Sequence, residues 1–157
     1  MYSKEESKLI KKEFWTKFGF FSQRKRIASG LNKKWLSHNT GINCLNLKFD
    51  FENKQALVGI EIFTHNQDEK QKYYDRLLSL KTILNDSFKI APEWNYNFEL
   101  PNGEIAAKIY HTLENVKIHD KTCWPKVFRF FFENMMIYER FYTEYKEIIA
   151  GEDFSEM

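Results

Sequence analysis

At 157 residues, 43% of them hydrophobic and 29% charged, the chain is too apolar for disorder and too charged for a membrane protein. One hydrophobic core is the usual solution at this length, so a single domain over residues 1–157 is expected. Net charge is only +2, yet residues 1–34 hold ten Lys or Arg against three Glu, a balance of +7 that leaves −5 for the remainder.

Ser3 followed by Glu6 has the spacing of a capping box, and Leu9, Ile10, Phe14 and Phe18 come behind it at helical intervals. This predicts a first helix from about Lys4 to Phe20. From Arg24 to Gly41, Gly30 and the Asn39-Thr40-Gly41 turn signal flank Trp35-Leu36, a pattern that permits a short strand between loops. Cys44 to Phe51 alternates, with Leu45, Leu47, Phe49 and Phe51 on one face and Asn46, Lys48 and Asp50 on the other, as in a half-buried strand. Gln55 to Thr64 is its partner. A tight turn at Asn53-Lys54 sets Phe49 opposite Val58, Leu47 opposite Ile60 and Leu45 opposite Ile62, leaving Leu57, Gly59 and Glu61 on the other face.

Asn66, with Glu69 three residues later, caps a second helix carrying Tyr73, Leu77, Leu80, Leu84 and Phe88 and ending near Asp86. Two more strands, Trp94 to Leu100 and Ile105 to Leu113, join through Pro101-Asn102-Gly103. Pro125 suits the first turn of a last helix, whose stripe is Trp124, Phe128, Phe131, Met135, Tyr138, Tyr142, Tyr145 and Ile149. Residues from Gly151 onward are expected to fray. The fold class is therefore α+β, an antiparallel or mixed sheet of four to five strands with three helices, in the order α-β-β(-β)-α-β-β-α.

No apolar run approaches the roughly 20 residues that span a bilayer, and the first residues lack the apolar core of a signal peptide, so the expected location is the cytoplasm with no membrane partner. Cys44 and Cys123 are too few for a disulfide framework. Reduced, buried thiols are the ordinary reading, with one bridge left open.

Gly59-Ile60-Glu61-Ile62-Phe63, Tyr74-Asp75-Arg76-Leu77 with Lys81, Trp94, Trp124-Pro125 and the early Phe14-Trp15 resemble a bacterial domain family of unknown function. Members of that family are often appended to predicted nucleases or restriction-associated proteins, so the resemblance implies a DNA-linked context. It transfers no catalytic residue.

Metal-dependent phosphodiester cleavage needs paired carboxylates for Mg²⁺ and a nearby Lys, and Asp50 and Glu61 are the candidates in a restriction-endonuclease-like arrangement. The position two after Glu61 is Phe63 rather than Lys, however. In the expected register the two carboxylates stand about 13 Å apart, too far for one metal. His65, His111, His119 and Cys123 match no closed zinc pattern, and no phosphate loop or nucleophile elbow occurs. No catalytic residue, metal site or cofactor is expected.

What is left is binding. Arg24, Lys25, Arg26, Lys33 and Lys34 could hold phosphates while Trp35 stacks on bases, although aromatics here also serve a core. On the last helix Phe130, Ile137, Phe141 and Ile148 extend the apolar arc beyond what one sheet face needs, as a homodimer contact would require. The sequence thus reads as a non-catalytic accessory or interaction module with a protein partner, a nucleic acid or a second copy of itself as its ligand.

Overall fold

The computed structural model describes residues 2–36 and 39–151; the expected fraying beyond Gly151 falls outside them. The elements are α1 (Lys4–Ala28), β1 (Leu45–Glu52), β2 (Gln55–Ile62), α2 (Gln67–Leu78), α3 (Lys81–Asp86), β3 (Glu93–Glu99), β4 (Ile105–Glu114), a 3₁₀ turn (Lys121–Cys123) and α4 (Trp124–Ala150). The sheet order is β1-β2-β4-β3, and β3 pairs antiparallel with β4. No described helix is long and apolar enough to cross a membrane.

Both expected caps form. The Ser3 side chain accepts from the Glu6 N–H at 3.1 Å and the Asn66 side chain from the Glu69 N–H at 3.1 Å, each satisfying a donor that the first turn leaves open. At the β1–β2 turn, Asn53 and Lys54 both have positive φ, 53° and 65°, as a type I′ hairpin turn requires. The Phe63 N–H donates to the Cys44 carbonyl at 2.8 Å, in step with the register that turn dictates.

Four expectations need correction. The first helix runs two turns past Phe20 to Ala28, and the described residues between Ser29 and Leu36 contain no strand. The second helix is two: it breaks at Ser79-Leu80, where the Ser79 hydroxyl donates to the Arg76 carbonyl at 2.6 Å, and α3 restarts at Lys81. Among the described residues there are accordingly four α-helices, not three. Finally, β2 is an interior strand buried on both faces, with Leu57, Gly59 and Glu61 all covered. At Gly59 a Cβ would fall on the Ile109 carbonyl oxygen and 2.7 Å from the Tyr110 Cα, so only glycine allows β4 to approach this closely.

The chain forms two compact units. The first (1–35, 49–57 and 112–133) has a core of rings: Phe14, fully buried, meets Phe51 at 5.0 Å, Trp124 at 5.3 Å and Phe128 at 5.2 Å between centroids. Most of these contacts are edge-on or tilted, the arrangement that ring quadrupoles favour.

The second unit (36, 39–48, 58–111 and 134–151 of the described residues) buries Leu45, Leu47, Ile60, Ile62, Leu77, Leu84 and Ile109 with Met135, Tyr138 and Tyr142 of α4. Three of its tyrosine hydroxyls, those of Tyr110, Tyr138 and Tyr142, make hydrogen bonds. Tyr142 donates to the Thr40 carbonyl, and Tyr110 donates to Glu93 at 2.8 Å. His111 Nε2 lies 2.7 Å from the Ile90 carbonyl, which can only accept, so Nε2 carries the proton and Nδ1 accepts from the Tyr138 hydroxyl at 2.7 Å. At the end of α4, Arg76 donates to the Ile149 and Ala150 carbonyls at 3.1 and 2.7 Å, two groups that the helix itself cannot satisfy.

Candidate functional site

Of the residues that the sequence offered for nucleic acid, four face solvent and two do not. Arg24, Lys25, Lys33 and Lys34 are exposed. Arg26 is only 3% exposed: its Nε donates to the Asn32 carbonyl at 2.7 Å, an Nη to the Lys34 carbonyl at 3.1 Å, and the guanidinium lies 4.2 Å from the Trp35 ring centre. Trp35 is half-buried, its ring 5.7 Å from Phe49 and 5.5 Å from Phe132. Arg26 and Trp35 therefore build the loop after α1 rather than presenting a stacking platform.

The Glu61 carboxylate, 4% exposed, receives a bond from Lys48 Nζ at 3.3 Å and has Lys108 Nζ 3.6 Å away. Lys108 is itself 3% exposed and stands 4.8 Å over the Phe98 ring. Buried charges persist when paired in this way, and the two ammonium groups account for Glu61 as a structural anion. Among the described residues no group of three His, Cys, Asp or Glu comes together to hold a metal. Both cysteines are free, and burial pushes the Cys44 thiol up to about 12, so it is inert at neutral pH.

For self-association, Phe141 is buried at 3% while Phe130 and Ile137 are half-buried and Ile148 is 53% exposed. Ile137 and Phe141 line a cavity of about 200 Å³ with Ile83, Ser87, Arg140, Glu144 and Tyr145. Of these four, Ile148 is the most exposed, and Phe141 is withdrawn from the surface.

A basic cavity lies in the first unit, where Lys11 of α1, Lys54 of the β1–β2 turn, Lys117 and His119 line an open volume of about 360 Å³. Its apolar wall is Phe51 and Ile118, both buried, and Glu52 is the one carboxylate in the lining. His119 is fixed in place: Nε2 bonds the Ser7 hydroxyl at 2.9 Å, and Tyr2 stacks on the ring at 4.5 Å. Nearby acids are engaged elsewhere. Glu13 is held below the usual carboxylate range by hydrogen bonds from Lys121 and then Lys17, and Asp120 is lowered chiefly by hydrogen bonds from Thr122.

Lys54 is unusual in its own right. The second position of a type I′ turn favours Gly, and an L-residue there costs roughly 1–2 kcal/mol. Such local cost tends to persist where it serves a site. This lysine in a glycine position was the sequence's one signal for the cavity; Lys11, Lys117 and His119 come from distant segments that no spacing rule unites.

The fold defines the class: an α+β domain on an antiparallel four-stranded sheet. Within that class the chain belongs to the family described as a domain of unknown function, DUF4268, whose model matches residues 10–146. No curated protein and no solved structure matches it.

Proposed function

We propose that the domain is a non-catalytic accessory module that binds a polyanion, nucleic acid by preference, through the basic surface of its first unit. The observation that carries this reading is charge segregation. The first unit holds fifteen Lys or Arg against eight Asp or Glu, net +7, and the described residues of the second nine against eleven, net −2. A net charge of this size on one unit raises the local concentration of a polyanion and steers its approach. Exposed Lys4, Lys8 and Lys11 stand on successive turns of α1, and Arg24, Lys25, Lys33 and Lys34 continue the basic surface at its far end.

The test is fluorescence anisotropy with labelled single- and double-stranded DNA and RNA over a salt series. Phosphate contacts make log K fall linearly with log salt, with a slope of about −0.9 per neutralised phosphate on duplex DNA. Replacement of Arg24, Lys25, Lys33 and Lys34 by Gln flattens that slope. An affinity indifferent to salt, or to those substitutions, overturns the reading.

A second reading, a homodimer through α4, is favoured by the exposed Ile148 beside the groove at Ile137 and Phe141. Sedimentation velocity of wild type and Ile148→Glu decides it: a dimer that the substitution splits supports the reading, and a strict monomer removes it.

A further inference from the structure

We propose that the cavity formed by Lys11, Lys54, Lys117 and His119 is a phosphate-binding subsite that seats a single phosphate group, supplied by a nucleic-acid backbone or end or by free phosphate. The inference deepens the polyanion reading and, for its nucleic-acid source, rests on it.

Three features converge. The cavity is lined by three lysines and one histidine against a single acidic residue, Glu52, so the formal charge of its lining residues is +2 with the histidine counted as neutral. A phosphate monoester carries between about −1.5 and −2 at pH 7, and a diester −1, so either is complemented by this lining. The buried Phe51 and Ile118 form a low-dielectric wall, against which charge interactions are screened less than over open water.

The groups are also held apart without a ligand. Lys11 is on a helix, Lys54 on a turn whose two central residues are both left-handed, and Lys117 follows Val116, whose N–H donates to the Lys54 carbonyl at 3.2 Å. That bond ties the 116–119 segment to the hairpin tip and fixes two of the lysines relative to each other. His119 is pinned by Ser7 and Tyr2. The backbone that carries these residues around the cavity is therefore already in place, and ligand binding has little of it left to order. Lysines act here as point charges, which suits a tetrahedral anion approached from several sides.

A chain with Lys54 replaced by glycine keeps the turn, since glycine is the residue that the left-handed position prefers, so the variant Lys54→Gly with Lys117→Gln removes two charges without threatening the fold. Two measurements are made on it and on wild type. Inorganic phosphate is titrated while the His119 ring resonances are followed by NMR, and oligonucleotide affinity is measured across a salt series. The expected results are a saturable His119 shift that the double variant loses, and a salt slope shallower by about one contact in the variant.

If nucleic acid binds wild type and variant with the same slope, and phosphate leaves His119 unmoved, the subsite is overturned while the polyanion reading stands. A wild type that ignores nucleic acid but shows the phosphate shift ends the nucleic-acid reading and assigns the subsite to free phosphate. Polyglutamate that displaces phosphate at equal charge concentration overturns the phosphate assignment in favour of a carboxylate partner.

Discussion

In the first unit the core is phenylalanine and tryptophan, packed chiefly by shape and ring quadrupole, with the buried Trp124 indole N–H donating to the Ile118 carbonyl at 2.8 Å; in the second, tyrosine hydroxyls and a histidine add directed bonds to the burial. Ten of the fifteen Phe lie in the first unit and seven of the eight Tyr in the second, so the two cores resist different insults. A phenylalanine core loses stability in proportion to volume removed, whereas a tyrosine core also loses it when a single oxygen is deleted. The contrast extends to charge, since the phenylalanine unit carries the positive excess and the tyrosine unit the negative one.

The sharpest way to break the first core is Phe14→Ala. Phe14 is fully buried among rings, and truncation should cost about 3–5 kcal/mol, read as a lowered denaturation midpoint in urea. Tyr142→Phe, which preserves volume, probes the second. It strips the donor from the Thr40 carbonyl and should cost about 1–3 kcal/mol, where a Phe-to-Tyr-insensitive core would register almost nothing.

Lys54→Gly should move the other way, stabilising the chain by about 1 kcal/mol in thermal melts by relieving the left-handed lysine while weakening polyanion binding. A variant that is both more stable and tighter-binding would break the link between strain and site.

The smallest expected effect is a pH slope confined to the second unit. Burial holds the His111 pKa below its ordinary value, opposed by the bond to Ile90 and the charge of Glu93. Below the ordinary histidine value near 6.5 the unfolded chain takes up a proton that the folded chain resists, so stability is full above that pH and falls as pH drops through 6.5 toward the lowered folded value. His111→Gln should flatten this part of the profile of urea midpoint against pH.

The sequence disclosed most of what depends on local pattern. The β1–β2 register was legible because Leu45, Leu47 and Phe49 alternate up to a two-residue turn, and α4 because its stripe repeats for seven turns. What escaped was set by distant partners. Arg26 reads as surface in the run Arg24-Lys25-Arg26, but carbonyls six and eight residues on draw it inside and carry α1 past its expected end. Glu61 reads as the solvent side of an alternating strand, and only Lys48 and Lys108 on neighbouring strands make its burial tolerable. The break between α2 and α3 has no Gly or Pro to announce it. The lysines of the phosphate cavity were visible one by one, but their convergence is a property of the folded chain.

Arg26 has one more consequence, in terms of chain entropy. Its guanidinium closes the segment from Ser29 to Lys34 as a cross-link would, gripping two carbonyls with one planar fork. Loop closure grows only logarithmically dearer with length, about 0.6 kcal/mol for each doubling, so extra residues between Ser29 and Asn32 should be accepted so long as the two carbonyls still reach the fork. Insertions just after α1, at the edge of the basic surface, should therefore cost this chain little in a urea titration, whereas replacing Arg26 should lower the midpoint by removing the fork that closes the loop.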